Sequence, residues 1–297
     1  MARAGPRGLG AVLIAAALTT TIQCGPAAAL PLQPPRDLAV QPVDFRSASD
    51  AVIRGWFVAG RAGAGAVLLL HGVDASRVAM VERARFLASA GYSVLLIDFR
   101  AHGESSGDRT TYGGLESLDA RAAVDFLRAA APGERIGVIG VSMGGAAALL
   151  GPAPLAVDAL VLESVYPTIA EAVRDRLRAW LGPVGPPLAS VVTGWLFPRD
   201  GVHASDLRPI DRIGGQAAPV FVLAGSADPY TTPSESKALF AHAADPKSFW
   251  LVPGAGHVDL HAFARPEYER RVGAFLARHL REVGRGVATG FTAAGAL

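Results

Sequence analysis

The chain has 297 residues and a formal net charge of +2, with 51% hydrophobic and 18% charged residues. So large an apolar fraction predicts a well-filled core and excludes an intrinsically disordered chain. Basic and acidic residues are mixed along the sequence, which excludes the strongly basic face of a nucleic-acid-binding protein. Two average domains would fit this length, but one large α/β domain also accounts for it and is our default interpretation.

The first residues differ from the rest in composition. Arg3 and Arg7 precede an apolar run, residues 9–18, which is too short to span a bilayer as a helix and has the length of a signal-peptide core. The alanines at positions 27–29 are small enough for a signal peptidase site. We therefore predict a signal peptide over residues 1–29 and an exported protein, periplasmic or secreted.

The single cysteine, Cys24, allows an alternative for this segment. It would be the acylated residue of a membrane-anchored lipoprotein, although Gln23 before it is larger than the small residue such sites prefer. Either way Cys24 precedes the folded region. The mature domain then has no disulfide, no Cys nucleophile and no Cys-ligated metal.

The folded region is predicted to be residues 43–282, preceded by a linker over residues 30–42 that contains four prolines. It opens with an antiparallel hairpin, residues 43–46 and 51–58, at the edge of a sheet. Short apolar runs then alternate with helical periodicity, which is typical of a mostly parallel sheet flanked by helices. The runs predicted as strands of that sheet are residues 66–70, 92–97, 135–141, 159–162, 219–224 and 249–252.

Helices are predicted between these strands from apolar spacing, and two of them begin with Pro in the first turn, where its missing N–H is not needed. The end of the chain, residues 283–297, is rich in Gly and Ala without apolar periodicity and is predicted to be a flexible tail. The predicted helices are residues 78–90, 115–130, 143–151, 233–243 and 266–280.

A long segment, about residues 165–218, separates two of the predicted parallel strands and exceeds a normal connection. Apolar residues recur on one helical face from Ile169 to Trp180, and residues 188–197 predict a second, mostly apolar helix. We interpret the segment as a small helical cap. Its apolar side chains bury the cap against the core, line an acyl-binding pocket or face lipid. These side chains are Trp180, Leu188, Val192, Trp195, Leu196 and Phe197.

The pattern Gly-x-Ser-x-Gly occurs twice, and its context separates the two matches. The match at Ser105 follows a stretch of small and polar residues and is predicted to lie in a surface loop. The match at Ser142 comes directly off a predicted strand and continues into a predicted helix. Strand, tight turn and helix is the arrangement that exposes a nucleophilic serine.

The physics of such a turn explains its glycines. A serine at a sharp strand-to-helix reversal has a strained backbone, and side chains at Gly140 and Gly144 would collide there. The turn places the Ser142 hydroxyl near a helix N-terminus, whose amides favour developing negative charge. The N–H of Met143 is then expected to point at the position where an oxyanion forms.

With these residues in place, the sequence resembles the α/β-hydrolase superfamily, in particular bacterial serine hydrolases with a serine-aminopeptidase-like (S33-type) core and a small helical cap. The resemblance covers roughly residues 43–280 and implies the α/β-hydrolase fold. Five landmarks occur in the family's order, each after a predicted strand. They are His71-Gly72, residues 98–103 (Asp-Phe-Arg-Ala-His-Gly), Ser142, residues 225–228 (Gly-Ser-Ala-Asp) and residues 254–257 (Gly-Ala-Gly-His).

The resemblance implies a catalytic triad in the chain order serine, acid, histidine. Ser142 would attack a carbonyl, His257 would take its proton and return it to the leaving group, and Asp228 would orient the imidazole. Glu163, which directly follows an earlier strand, is the alternative acid. Of the remaining histidines, His71 and His102 belong to loops after strands. The others, expected to be solvated or structural, are His203, His242, His261 and His279.

The second oxyanion donor is expected to be the backbone N–H of Val73, after His71-Gly72. The loop here is His-Gly-Val-Asp rather than the His-Gly-Gly-Gly of many lipases and esterases. This departure implies a narrower oxyanion hole, less suited to esters of bulky alcohols.

The function predicted from these features is an exported serine hydrolase that cleaves a carboxylic ester through an acyl-enzyme on Ser142. Peptide or amide cleavage and thioester cleavage share the chemistry and stay open as alternatives. A catalytically silent binding protein on the same fold is the alternative of another class. The expected partner is a small-molecule ester, thioester or short peptide. No cofactor or metal is expected, because a serine triad needs none.

Overall fold

A computed structural model of the chain describes residues 32–199 and 203–281. The predicted signal peptide, Cys24 and the predicted tail at residues 283–297 lie outside the described residues. Among the described residues, no helix combines the length and apolarity needed to cross a membrane.

The centre of the fold is an eight-stranded sheet with strand order β1-β2-β4-β3-β5-β6-β7-β8. Strands β3 to β8 are parallel, whereas β1 and β2 are antiparallel to their neighbours. This confirms the predicted mostly parallel sheet, whose central strands are buried on both faces. The strands are β1 Val40–Arg46, β2 Val52–Val58, β3 Ala66–Leu70, β4 Ser93–Ile97, β5 Ile136–Val141, β6 Ala159–Glu163, β7 Val220–Gly225 and β8 Lys247–Val252.

Strand β1 begins at Val40, inside the segment expected to be a linker. Pro42 does not break it, because β1 is at the edge of the sheet, where a missing N–H costs no ladder bond. Leu32 and Leu38, before the strand, pack against the hydrophobic core. Part of the predicted linker is therefore attached to the domain.

Helices cover both faces of the sheet and divide the core into two layers of apolar side chains. One layer contains α2 and α3, and the other contains α1 and α6. The longer helices are α1 Val81–Ser89, α2 Glu116–Ala130, α3 Met143–Leu149, α4 Ile169–Leu181, α5 Pro233–His242 and α6 Arg265–Leu280; shorter helical turns are Arg77–Met80, Ile210–Ile213 and Leu260–Phe263.

The cap contains both predicted helices. The first is α4, which ends at Gly182 with a positive φ of 60°. The second, predicted over residues 188–197, is an uninterrupted helical segment that begins as a 3-10 turn at Pro186–Leu188 and continues through Ala189–Val191, a π turn at Val192–Leu196 and Phe197–Arg199. Pro186 and Pro187 lie in its first turn, where a missing N–H is not needed. A further short turn, Gly182–Val184, joins the two helices.

Some of the apolar cap residues take two of the expected roles, packing against the core and lining a cavity. Val192 and Phe197 are buried in the core, whereas Leu188 and Trp195 are exposed to 37% and 52%. Trp180 is exposed to 44% at the mouth of a cavity that Phe197 also lines. Packing and pocket formation are thus shared among these side chains.

Candidate active site

The four candidate loops leave the same edge of the sheet. His71 follows β3, Ser142 follows β5, Asp228 comes shortly after β7, and His257 comes after β8. Because these strands are parallel, their carboxyl ends meet at one edge, where open α/β sheets place their sites. The topology therefore brings together residues that are far apart in sequence.

Ser142 lies in a strained turn between β5 and α3. Its φ of 49° and ψ of −114° belong to a region that L-residues rarely adopt. The backbone is held there from both sides, since the Ser142 N–H donates to the Glu163 carbonyl at 2.8 Å and its carbonyl accepts from the Ala146 N–H at 3.0 Å. The hydroxyl thus projects from the first turn of a helix.

Glycine is required on both sides of this turn, for two different reasons. A Cβ on Gly140 would lie 2.6 Å from the Gly145 Cα, which is the expected collision across the turn. A Cβ on Gly144 would instead clash with the Leu70 carbonyl of the neighbouring strand β3. The second glycine therefore allows α3 to approach the adjacent strand.

The side chains of Asp228 and His257 meet directly. The His257 Nδ1 lies 2.8 Å from the Asp228 Oδ2, and the Asp228 side chain is fully buried. The other carboxylate oxygen, Oδ1, accepts from the N–H groups of Tyr230 at 2.8 Å and Thr231 at 2.9 Å. These three bonds fix the carboxylate and leave the Nε2 of His257 as the ring nitrogen not engaged by Asp228.

The loops that carry Asp228 and His257 are tied to each other by backbone contacts. The Ala227 N–H donates to the Ala255 carbonyl at 2.8 Å, and the Gly254 N–H donates to the Ser226 hydroxyl at 2.7 Å. A Cβ on Gly225 would clash with the same Ala255 carbonyl. The acid and the imidazole are therefore positioned by a shared, closely packed unit.

Glu163, the alternative acid, has different partners. Its carboxylate accepts from Arg83 Nη2 at 2.7 Å and from the Tyr268 hydroxyl at 2.5 Å, and all three side chains are buried. Arg83 also pairs with Asp259, two residues after His257, at 2.7 Å. Burial by itself lowers the pKa of Arg83, but the charges of Glu163 and its neighbours raise it well above its ordinary value. Glu163 is thus a structural member of a buried ionic network.

His71 is fully buried and links two of the loops. Its Nε2 accepts from the Phe99 N–H at 3.1 Å, so its Nδ1 carries the proton and donates to the Gly72 carbonyl at 2.7 Å. Burial and, to a smaller extent, the nearby His102 lower the pKa of His71 to about 3. The ring is therefore neutral and holds the loop that carries Val73.

The two amides expected to form an oxyanion hole are positioned for that task. Val73 follows the Gly72 held by His71, and its N–H has no hydrogen-bond partner among residues 32–199 and 203–281. Met143 is the first residue of α3, and the first amides of a helix have no partner within it. Both residues line a cavity together with Ser142.

Two adjoining cavities open on Ser142. One, of about 340 Å³, is bounded by His257, Tyr230 and the Arg83–Asp259 pair. The other, of about 250 Å³, lies under α4 of the cap and has a mostly apolar lining. Val73, Asp74, Ser142 and Arg176 belong to both.

The second Gly-x-Ser-x-Gly match has no access to these cavities. Ser105 lies in a loop as expected, but its side chain is buried. The hydroxyl donates to the Asp98 carbonyl at 2.7 Å and accepts from the Arg54 N–H at 2.8 Å. It pins the loop and is a natural control for Ser142.

No group of three or more His, Cys, Asp or Glu side chains within the described ranges is arranged to hold a metal ion.

Of the histidines expected to be solvated or structural, His261 is structural: it is fully buried, with its Nε2 2.9 Å from Glu269 Oε1.

Comparison with known proteins now decides the family. Residues 62–213 match the family model described as serine aminopeptidase, S33. The chain is 33% identical over 238 residues to the uncharacterised protein Rv2307c of Mycobacterium tuberculosis (strain ATCC 25618 / H37Rv), covering 79% of this chain and 76% of that protein. The chain belongs to the S33 serine aminopeptidase family.

Similar proteins also include an α/β-hydrolase-domain protein and an esterase of known structure. The chain is 30% identical over 200 residues to the α/β-hydrolase domain-containing protein WAV2 of Arabidopsis thaliana, covering 64% of this chain and 62% of that protein. The structure of the Pyrococcus furiosus esterase Pf2001 superimposes with a TM-score of 0.71 at 27% identity, covering 86% of this chain and 99% of that one. The resemblance and the α/β-hydrolase fold are therefore confirmed, and the protein is a hydrolase of this family.

Sequence reasoning did not find two features of the site. The Arg83–Glu163 network joins residues 80 positions apart, and neither residue has a local motif that marks it. Arg176 and Tyr230 were not among the residues predicted for the site. The Asp228-Pro229 step was the sole signal near Tyr230.

Proposed function

We propose that this hydrolase cleaves carboxylic esters through an acyl-enzyme on Ser142, with Asp228 and His257 completing a triad. One observation carries the proposal: the imidazole of His257 is bound through Nδ1 to a buried carboxylate and borders the cavity into which Ser142 projects. The similarity to the esterase Pf2001 supports an ester as the substrate.

Each residue has one task in this mechanism. Because Nδ1 donates to Asp228, Nε2 of His257 takes the hydroxyl proton as Ser142 Oγ attacks the ester carbonyl carbon. The proton then passes from Nε2 to the leaving alcohol as its C–O bond breaks and the acyl-enzyme forms. Water, deprotonated by the same nitrogen, releases the acid and regenerates Ser142. Asp228 holds the imidazole in this tautomer and stabilises its charged form.

The negative charge on the carbonyl oxygen would be received by the amides of Val73 and Met143. Both belong to rigid backbone, one held by buried His71 and one at the start of α3. Such preorganised donors need no rearrangement during the reaction, and each is typically worth about 3 kcal/mol in the transition state.

Peptide cleavage is the second candidate, because a specific observation favours it. Asp74 is exposed, lines both cavities and could receive the ammonium group of a peptide N-terminus. The family model itself is described as a serine aminopeptidase. Thioesters share the acyl-enzyme chemistry and complete the substrate panel.

The test is turnover of three matched classes of substrate by the purified protein. We expect 4-nitrophenyl butanoate to be hydrolysed faster than butanoyl-coenzyme A and much faster than alanine 4-nitroanilide, with all turnover lost in Ser142→Ala. Preference for the anilide would favour the aminopeptidase. No turnover of any class would favour a silent binding protein.

We also propose that the chain is exported, on the basis of residues 1–29 alone. Fractionation of expressing cells with N-terminal sequencing is the test. A mature chain starting near Leu30 would support cleavage, an acylated Cys24 would support the lipoprotein alternative, and an intact cytoplasmic chain would contradict both.

A further inference from the structure

Arg176 lies over the active site, on α4 of the cap. It is half-buried and borders both cavities beside Ser142. Within the described ranges, no carboxylate oxygen lies within 4.0 Å of its guanidinium, and its N–H groups donate no hydrogen bond. Its neighbours differ, since Arg174 and Arg178 both pair with Asp175.

Two aromatic rings orient this guanidinium without using its donors. The Arg176 Cζ lies 4.4 Å from the ring centroid of Tyr230 and 5.7 Å from that of Trp180. An aromatic ring contacts the face of a guanidinium, whereas the N–H donors lie in its plane. The two rings therefore hold Arg176 in place, while its N–H donors have no acceptor among the described residues.

The position of Tyr230 indicates which part of a substrate Arg176 would meet. Its ring packs edge-on against His257, with centroids 5.6 Å apart, and bounds the cavity that His257 lines. His257 protonates the leaving group, so the leaving group must lie on this side. Because Arg176 is closer to Tyr230 than to Trp180, it faces the leaving-group cavity.

The other charged side chains around this cavity do not neutralise Arg176. Arg83 and Asp259 neutralise each other at 2.7 Å. Asp74 is exposed and forms no ion pair with Arg176, so water screens its charge. Its carboxylate nevertheless repels an anion bound in the same cavity.

We propose that Arg176 binds an anionic group on the leaving group of the substrate, so that the preferred esters are those of carboxylate-bearing alcohols or phenols. The inference rests on the proposed ester hydrolysis and names the substrate class of that site. A guanidinium suits a carboxylate because its planar donors match the two oxygens.

The test compares two substrates that differ in one charge: 4-(butanoyloxy)benzoate and its methyl ester. The readout is the ratio of their kcat/KM values, carboxylate over methyl ester. Loss of a charge-assisted hydrogen bond predicts that Arg176→Gln lowers this ratio about tenfold or more. Arg176→Lys should lower it less, and high salt should lower the wild-type ratio.

Two further variants serve as controls of opposite kinds. Asp74→Asn removes the opposing charge and keeps a residue type that tolerates the φ of 56° at this position, so the ratio should rise. Arg178→Gln, on the exposed side of the same helix, should leave the ratio unchanged. A ratio unaffected by Arg176→Gln would overturn the inference.

A second pair of substrates tests whether the anion belongs to the leaving group or to the acyl group. If Arg176→Gln instead lowers the ratio for 4-nitrophenyl hemisuccinate over 4-nitrophenyl butanoate, the anion belongs to the acyl group and the leaving-group assignment is wrong. An equal loss for charged and neutral esters would show that Arg176 acts only in packing the cap.

Binding separates this inference from the proposed function. Ligand-observed NMR should detect 4-hydroxybenzoate bound to Ser142→Ala but not to Ser142→Ala with Arg176→Gln. Arg176-dependent binding without turnover of any ester would keep the anion site and overturn ester hydrolysis. Ester turnover without Arg176-dependent binding or preference would do the reverse.

Discussion

At the level of single residues, two buried carboxylates, Asp228 and Glu163, are candidates for the acid of the triad. Their hydrogen-bond partners distinguish them. Asp228 accepts from His257, whereas Glu163 accepts from Arg83 and Tyr268. We therefore expect Asp228→Asn to lower kcat about ten-thousand-fold, because the imidazole would then adopt the wrong tautomer. Steady-state kinetics at constant folded fraction, checked by circular dichroism, measures this.

Glu163→Gln is the comparison variant for that prediction. It should lose far less kcat than Asp228→Asn and far more stability, since it leaves Arg83 buried with a weaker partner. A larger kcat loss in Glu163→Gln than in Asp228→Asn would assign the acid to Glu163 instead.

A second prediction concerns the stability of the variant Arg83→Gln. Its replacement by Gln removes the charge that Glu163 needs inside the core, and breaking a buried pair typically costs about 3 to 5 kcal/mol. Urea unfolding should show a loss of this size in the free energy of unfolding.

The matched control is Arg85→Gln, on the same helix but with ion pairs at the surface. Exposed pairs are worth less than about 1 kcal/mol, so this variant should unfold almost like the wild type. Equal losses in the two variants would contradict the structural role assigned to the buried network.

At the scale of elements, α4 and α5 meet through a buried acidic pair. Glu235 closes the capping box of α5 and lies beside Asp175, with Arg174 bonded to both. Burial and, to a smaller extent, the neighbouring Asp175 raise the pKa of Glu235 to about 7. The folded protein therefore keeps a proton on Glu235 that the unfolded chain loses near its ordinary pKa of 4.5.

The sign of the pH dependence follows from this difference. Where the folded state binds the extra proton, stability falls as the pH rises, so the contribution is lost between about pH 4.5 and 7. The side chain introduced by Glu235→Gln does not titrate. The Tm of this variant should therefore rise relative to that of the wild type as the pH increases from about 4.5 to 7. Thermal melts at intervals of pH measure the difference.

Glu267 provides a control whose pKa is shifted in the opposite direction. Arg270 and Arg271 lower its pKa to about 2, so its titration affects stability only below its ordinary pKa of 4.5. The Tm difference between Glu267→Gln and wild type should stay constant from pH 5 to 7. A parallel pH dependence in the two variants would exclude Glu235 as the source.

The elements differ in how well the sequence predicted them. The parallel strands were predicted because their apolar runs are continuous, and the turn at Ser142 because glycines flank it on both sides. Asp228 and His257 each follow a strand end, so topology brings them together once the strands are ordered. The helix predicted over residues 188–197 is present, but its apolar content did not indicate the π turn at Val192–Leu196.

The remaining parts of the site depend on contacts that no local pattern encodes. Arg83 reaches Glu163 and Tyr268 across the fold, and Arg176 reaches Tyr230 only because the cap folds back over the sheet. Helical periodicity places Arg176 on the same face as Ile169 and Trp180, but it does not tell what that face contacts. Tertiary packing decides that Arg83 is buried and that Arg176 borders the active site.

In the whole molecule, the cavity under α4 lies between the cap and the core, and we propose that it receives the acyl group of the substrate. Ala172 lines it, whereas Ala179 lies on the exposed side of the same helix. We expect Ala172→Phe to fill the cavity and lower kcat/KM for octanoyl relative to acetyl 4-nitrophenyl esters by about tenfold, because specificity changes by this order for each methylene excluded.

Ala179→Phe is the matched control for cavity filling. It adds the same side chain to the same helix without entering the cavity, so the chain-length profile should stay that of the wild type. If both variants, or neither, shift the profile, the acyl group does not occupy the space under α4.

Covalent labelling tests whether Ser142 is an activated nucleophile. The purified protein is treated with a fluorophosphonate probe and the labelled peptide is mapped by mass spectrometry, with Ser142→Ala and Ser105→Ala alongside. We expect label on Ser142, lost in Ser142→Ala and retained in Ser105→Ala, because the Ser105 hydroxyl is bonded to backbone groups. Absence of label on Ser142 in the folded protein, or label that persists in Ser142→Ala, would contradict it.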